Sequence, residues 1–273
     1  MIKSVPMDYL KRAIRFFGKH IFRNKLYLFT YALNYFNPFY VPKVKYHDNK
    51  ETISLLKSGK SLIRLGDGEI YIMNFGSIHY QKYDDKLRDS FFQMIKEYSG
   101  DSPFILCLPK PMLLKTNLQL RKEGLLNCWL PMKVRFNLDF NQDTSYSDAF
   151  FFYYDKTLQK YLEDYLLTKR IIFVSNQVNI ENFQRNTAVP SFDVVYVESP
   201  ANDAYGEYET LVTSVRSLAI KSGKANCVVL LACGPASKAL AFALAKDGIQ
   251  AIDIGRGIEI VYTNKSLEDL IKK

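Results

Sequence analysis

Asp67 and Glu69 are two carboxylates separated by one glycine, in the run Ser61-Leu62-Ile63-Arg64-Leu65-Gly66-Asp67-Gly68-Glu69. Oxygen ligands of this kind suit Mg²⁺ or Mn²⁺, which takes one or two carboxylates and completes its shell with water and substrate phosphates. The glycines on either side of Asp67 let backbone and phosphate approach closely. The apolar run before them, broken by one Arg, reads as a buried strand, and Gly-Asp-Gly reads as the turn at its end. Ligands of open α/β sheets bind at the carboxyl ends of strands, which is where this pair falls. Taken alone, the tripeptide favours the plainer reading of a solvated Asp-Gly turn.

Further candidates also follow strands. Cys233-Gly234-Pro235-Ala236-Ser237-Lys238 leaves an apolar run and opens a helix, so the positive helix end at Gly234 suits a phosphate, with Ser237 and Lys238 as added donors. An ordinary strand-to-helix turn is the competing reading. The segment has neither the dinucleotide fingerprint nor the P-loop pattern. Asn202 and Asp203 read either as partners for a sugar hydroxyl or as caps of the next helix. Asp253 ends the last strand, before Gly255-Arg256-Gly257, where Arg256 suits a diphosphate or a surface turn. The aromatic run Tyr146 to Tyr154 reads as core or as a stacking surface.

The elements that must hold these residues alternate. A short helix over 49–58 leads into the strand at 61–65, and a second helix follows at 68–75. Asp84 to Tyr98 reads as a helix and Pro103 to Leu108 as a strand, while 110–150 shows only helical patches and aromatics. Strands then fall at Arg170–Ser175, Asp193–Glu198, Asn226–Ala232 and Gln250–Ile254, with helices at Tyr205–Ser222 and from Gly234 to Lys246. Continuously apolar strands alternating with helices imply a Rossmann-like α/β fold, a mostly parallel sheet with helices on both faces.

The chain has 273 residues, 48% apolar and 24% charged, which implies a globular protein. No apolar run is long enough to span a bilayer, and no secretory signal is evident. Cys107, Cys128, Cys227 and Cys233 match no zinc spacing and read as reduced thiols of a cytoplasmic protein. The net charge of +9 is concentrated at the start: residues 1–25 hold seven Lys and Arg against Asp8. Residues 7–36 read as a basic amphipathic helix, with Leu10, Ile14, Phe17 and Ile21 on one side. Such a helix either lies on an anionic membrane or packs on the domain with a solvated basic face. The chain divides accordingly into a helical extension, 1–45, and a body, 46–273. A basic excess clustered on one terminal helix, with no RNA- or DNA-binding motif, speaks against a nucleic-acid partner.

These pieces, in this order, resemble the GT-D-fold bacterial glycosyltransferases, a family long grouped as a domain of unknown function. Arg64-Leu65-Gly66-Asp67-Gly68-Glu69 matches that family's R-[FY]-G-D-G-E element with its D-x-E metal motif. Gly76 to Gln81 and Ile105 to Pro109 continue the likeness. Ser199 to Tyr205 resembles a P-x-x-N-A-[FY] segment with one extra residue. Leu231 to Ala241 resembles L-G-P-x-A-K-x-L-A, and Ala251-Ile252-Asp253-Ile254-Gly255 matches the final A-I-D-I-G strand. Three places depart from the pattern. Arg256 and Gly257 stand where the family commonly has a His and an acidic residue, Ser175 to Asn179 replaces Gly-Glu-x-Ser-Arg, and Phe151 to Tyr154 replaces Ser-Arg-Pro-Tyr.

The resemblance implies a metal-dependent glycosyltransferase using a nucleotide-diphosphate sugar, most simply a UDP-sugar, with a glycan or lipid-linked acceptor of a bacterial surface polymer. Asp67 and Glu69 are then the ligands of Mn²⁺ or Mg²⁺. Arg64, Gly66, Asn202, Tyr205, Gly234, Ser237, Lys238 and Asp253 are the donor-binding residues. Asp203 and Asp148 are candidate general bases, between which the sequence does not choose. A cytoplasmic enzyme, peripheral on the inner membrane face through residues 1–36, fits the basic terminus. The alternative on the same fold is a non-catalytic nucleotide- or phosphosugar-binding regulator.

Overall fold

The structure, a computed structural model, describes residues 25–151, 164–165, 167–185 and 193–255. Among these, eight strands form one sheet in the order β1-β4-β3-β2-β8-β7-β5-β6. They are β1 (Lys45–Tyr46), β2 (Ser61–Arg64), β3 (Phe104–Leu108), β4 (Ser145–Asp148), β5 (Arg170–Ser175), β6 (Val194–Glu198), β7 (Cys227–Ala232) and β8 (Ala251–Asp253). Every pairing is parallel, as the apolar runs predict.

The helices in chain order are α1 (25–36), α2 (Asn49–Lys57), α3 (Asp67–Met73), α4 (Asp85–Glu97), α5 (Lys110–Leu113), α6 (Asn117–Lys122), α7 (Leu126–Asp139), α8 (Gln177–Arg185), α9 (Tyr208–Ser222) and α10 (Pro235–Lys246). Alternate strand residues feed two separate cores, as the two-residue period of a strand requires. Ile63, Leu106, Val174 and Leu231 pack toward α3, α4, α7, α9 and α10. Leu62, Ile105, Phe173 and Leu230 pack toward α2 and α8 on the other face. Helices therefore cover both faces, and β3 and β7 are buried throughout.

The sequence leaves β1 and β4 unread. β4 is Ser-Tyr-Ser-Asp with no apolar run, and it is fixed by contacts outside itself. Cys107 and Leu108 of β3 pair with Ser147 and Asp148, and the buried Ser147 hydroxyl lies 2.8 Å from that of Thr52 on α2. The region 110–150 resolves into α5, α6, α7 and β4. Residues 25–36 of the expected 7–36 helix are helical, and Tyr27, Tyr31 and Tyr35 pack on the body. Residues 1–24, 152–154 of the aromatic run, and Arg256 and Gly257 lie outside the described residues.

The order of strands locates a crevice. From β2 the sheet runs to β3 and β4 on one side, and to β8, β7, β5 and β6 on the other. The direction of connection reverses between β2 and β8, the kind of place where open α/β sheets bind ligands. The carboxyl ends of β2, β8 and β7 there carry Arg64, Asp253 and the Gly234 turn.

Candidate active site

β2 stops at Arg64 and the chain turns through Gly66 into α3. Glu69 lies in the first turn of that helix and accepts a hydrogen bond from the Gly66 N–H at Oε2, 2.8 Å away, satisfying one of the free donors of the helix start. Its other oxygen, Oε1, lies 3.3 Å from Lys238 Nζ. Lys238 sits on the first turn of α10, where the Ala-rich sequence PASKALAFALAK lets the helix lie close on the sheet. The same Nζ is 3.3 Å from Asp253 Oδ2 and donates to the Gly234 carbonyl at 3.3 Å. Arg64 Nε is 3.6 Å from Asp253 Oδ2. Arg64 Nη1 reaches the Ala149 carbonyl at 3.5 Å.

Four charges thus meet at the base of the crevice: two cations, Arg64 and Lys238, and two anions, Glu69 and Asp253. All but Arg64 are buried, and Asp253 is fully so. Burial by itself pulls the Lys238 ammonium down; the Asp253 and Glu69 carboxylates more than reverse that and hold it above its ordinary value. Asp253 Oδ1 has no hydrogen-bond partner among the described residues. Gly255 follows with φ +47°, and a Cβ there would overlap the Arg64 guanidinium. That explains the Gly of the Asp-Ile-Gly end: it makes room for Arg64 in a backbone conformation glycine tolerates.

The rim is built differently. Asp67 opens α3 on its outer side and is exposed, and its Oδ2 accepts from Cys128 Sγ of α7 at 3.3 Å. Burial, and then the Asp67 carboxylate, push the Cys128 thiol up to about 12. Tyr80 leans over the turn: a Cβ on Gly234, at φ +64°, would come within 3.0 Å of its ring. Its carbonyl accepts from the Asp203 N–H at 2.9 Å. Asp203 Oδ1 accepts from the Lys82 N–H at 2.5 Å, and its Oδ2 pairs with Lys82 Nζ at 3.1 Å. These contacts, the backbone one first, hold the Asp203 carboxyl below its usual range. On the β4 side, Asp148 Oδ1 accepts from the Lys110 and Phe150 N–H groups at 3.3 and 3.0 Å. Burial still raises its carboxyl above the ordinary value.

The expected site residues therefore separate. Glu69, Lys238, Asp253 and Arg64 come together. Lys238, expected to meet phosphate, is taken up by carboxylates. Ser237 is turned inward, its Oγ accepting from the Cys233 N–H at 2.9 Å, so its hydroxyl serves the turn. Asn202 is exposed on the rim. Asp203 precedes a short 3₁₀ turn, but its side chain makes no cap and goes to Lys82 instead. Tyr205 stacks obliquely on Tyr208, ring centres 5.1 Å apart, and burial pushes its hydroxyl up to about 12. Tyr80, Lys82 and Cys128 were not singled out from the sequence. The Gly76–Gln81 stretch of the family pattern was the one signal that pointed near Tyr80.

No group of three or more His, Cys, Asp and Glu is gathered among the described residues, so no all-protein metal cage exists there. Asp67 fits a cation that keeps its waters and shares phosphate oxygens, because it is an exposed carboxylate at the crevice mouth. Glu69, with one oxygen on Gly66 and the other facing Lys238, fits as a support beside such an ion.

Comparison with known proteins identifies the class. The model of the family described as "Glycosyltransferase GT-D fold" matches residues 62–263. The chain belongs to that glycosyltransferase family. Among relatives, it is 24% identical over 217 residues to a protein of Streptococcus gordonii described as a probable glycosyl transferase Gly, covering 74% of this chain and 30% of that protein. The chain thus spans less than a third of that relative's length. A solved structure described as a new glycosyltransferase (DUF1792) from Streptococcus sanguinis superposes with a TM-score of 0.67 at 21% identity, over 82% of this chain and 86% of the other. A second, described as the highly conserved domain of unknown function 1792 with a distinct glycosyltransferase fold, gives 0.65 at 23% identity, over 82% and 83%. Both likenesses bear on the fold.

Proposed function

We propose that this chain transfers a sugar from a nucleoside-diphosphate sugar, with a UDP-sugar as the first candidate, to a glycan or lipid-linked acceptor at the cytoplasmic membrane face. The observation that carries the reading is the crevice between β2 and β8. There an exposed carboxylate, Asp67, lies near Tyr80, whose ring leans over the start of the twelve-residue α10, at the mouth of a crevice floored by a buried group whose charges cancel. A diphosphate placed at that helix start faces the negative Asp67, and the balanced quartet below adds no net positive charge to hold it. A divalent cation, Mn²⁺ or Mg²⁺, held by Asp67 would resolve this conflict. When bound it supplies charge stabilisation for the departing nucleoside diphosphate.

The protein's own part is positional. Lys238 fixes Glu69 and with it the first turn of α3, so Asp67 is presented on a rigid mount. Tyr80 covers the Gly234 turn and narrows the entry. Of the two candidate bases, Asp148 suits a general base better, because burial raises its proton affinity. Asp203 is committed to Lys82, which lowers its own.

The test is incubation with a panel of nucleotide sugars, with and without Mn²⁺, reading nucleoside diphosphate release and product NMR. The expected result is metal-dependent hydrolysis or transfer with at least one donor, lost in Asp67→Ala. Donor binding without turnover under every condition would overturn the enzyme reading in favour of a nucleotide-binding regulator. Among the described residues no helix is long and apolar enough to cross a membrane.

A further inference from the structure

The outer face of α1 is apolar where a solvent-facing helix is ordinarily polar. From residue 26 to residue 40 the chain carries no charged side chain. Leu26, Leu28, Phe29, Leu33, Phe36 and Phe39 are between 48% and 79% exposed. At 100° per residue the four helical positions 26, 29, 33 and 36 fall on one side. Exposed apolar side chains concentrated in this way mark an interaction surface; singly scattered ones do not.

The face cannot turn inward, because the opposite side of α1 is already fixed. Tyr27 receives a hydrogen bond from Asn74 Nδ2 at 3.2 Å and lies under the Arg135 guanidinium at 4.4 Å. The last carbonyls are capped by side chains of α6: Asn117 Nδ2 donates to the Asn34 and Asn37 carbonyls at 2.7 and 3.0 Å, and Arg121 Nη2 to that of Tyr35 at 2.8 Å. Leu118 N donates to the Pro38 carbonyl at 2.8 Å and carries its own exposed side chain beside the patch. The charges placed beside this helix are basic: Lys25 opens it and the Arg121 guanidinium lies 5.3 Å from the Tyr35 ring centre, while Lys115 and Glu123 pair with each other at 2.6 Å. The sequence immediately before it, residues 1–24, adds six bases against one acid.

We infer that the outer face of α1 inserts into the interfacial region of an anionic lipid bilayer. A rigid apolar stripe bordered by Lys and Arg is the chemistry such a surface selects: apolar side chains enter the headgroup boundary while the bases meet anionic headgroups. The same helix packs through Tyr27 on Asn74, just past the end of α3, and its fixed side reaches Arg135 of α7. These two helices carry Asp67 and Cys128, so binding through α1 holds the crevice at a set distance from the bilayer. The inference rests on the acceptor reading above only for its biological purpose.

The test is sedimentation of the full chain with vesicles of phosphatidylcholine alone or containing about one third phosphatidylglycerol. The expected result is binding to the anionic vesicles that weakens with salt. In the triple variant Phe29→Ser, Leu33→Ser, Phe36→Ser binding falls by at least about tenfold, with unchanged thermal unfolding because these side chains are exposed. Equal binding by the variant and the parent would overturn the inference. So would a parent that forms dimers, separated by the triple substitution, and shows no vesicle binding; the face would then serve a second copy. Donor hydrolysis in free solution reads the catalytic proposal separately, so either result can fail without the other.

Discussion

At the base of the crevice, Glu69 and Asp253 are enclosed with Lys238 and Arg64; at its rim, Asp67 faces solvent with the Cys128 thiol beside it. Both places use carboxylates at strand or helix ends, yet their surroundings give them different work. In the closed group each charge is compensated within 3.3 to 3.6 Å, so it holds four chain segments in register. On the rim a carboxylate keeps its charge available to a ligand. A D-x-E pair that reads as one chelating unit is thus divided by a single turn of α3, one member facing in and the other out.

The comparison can be broken most directly at Lys238. Lys238→Met leaves two buried carboxylates without their ammonium and is expected to cost about 3–5 kcal/mol of stability, read by denaturant unfolding. Asp67→Asn should leave stability within about 0.5 kcal/mol. A Lys238→Met protein as stable as the parent would show that the base of the crevice is not a lock.

Asp148 sharpens the catalytic side. As a general base, its removal in Asp148→Asn should lower kcat roughly 10²–10⁴-fold. Burial raises its pKa, so the acid limb of the parent's activity should lie at higher pH than an ordinary carboxylate would give. The sign for stability is opposite: a carboxyl raised on folding binds its proton more tightly in the native chain, so its contribution grows as pH falls. A pH profile of Asp148→Asn that keeps the acid limb would remove Asp148 from the mechanism.

Smaller effects are expected at Gly255 and Cys128. Gly255→Ala puts a Cβ against Arg64 in a left-handed backbone, and roughly 1–2 kcal/mol of stability should be lost; an unchanged midpoint would show that Arg64 moves freely. Cys128 reaches solvent, yet its thiol is pushed up to about 12 by burial and by Asp67. Alkylation near pH 8 should therefore be slower than for an ordinary thiol, and Asp67→Asn should speed it. Mass-spectrometric rates for parent and variant decide this, and equal rates would detach the thiol from the carboxylate.

Much of the sheet was legible because six of its strands are apolar runs bounded by turns. β2, β3, β5, β6, β7 and β8 announce themselves by composition. β1 and β4 do not, since their places come from partners: Lys45 and Tyr46 pair with Ser145 and Tyr146, and Ser147 meets Thr52. The crevice was legible to the same extent. Gly66 and Gly234 mark strand ends by their residue type, and so point to the candidate site. What Lys238 touches there was hidden, because Glu69 and Asp253 reach it only through the pairing of distant strands. A lysine at a helix start reads as an anion donor, and here the anions are the protein's own. Asp203 misled for a similar reason, since its cap-like position gave no sign that Lys82 would lie opposite.

The middle of the sheet has a consequence for how the chain is made. Leu62 of β2 pairs with Ile252 of β8, so the two halves of the crevice leave the ribosome far apart in time. One half-sheet, β1-β4-β3-β2, and another, β7-β5-β6, can each assemble locally, but no described strand joins them until β8 arrives. Pairings this distant in sequence form slowly, and until β8 arrives Lys238 and Arg64 stand without Asp253. The three residues of β8 are therefore the closing seam of the nascent chain, and a protein stalled before residue 251 would carry both half-sheets without the strand that pairs with each of them.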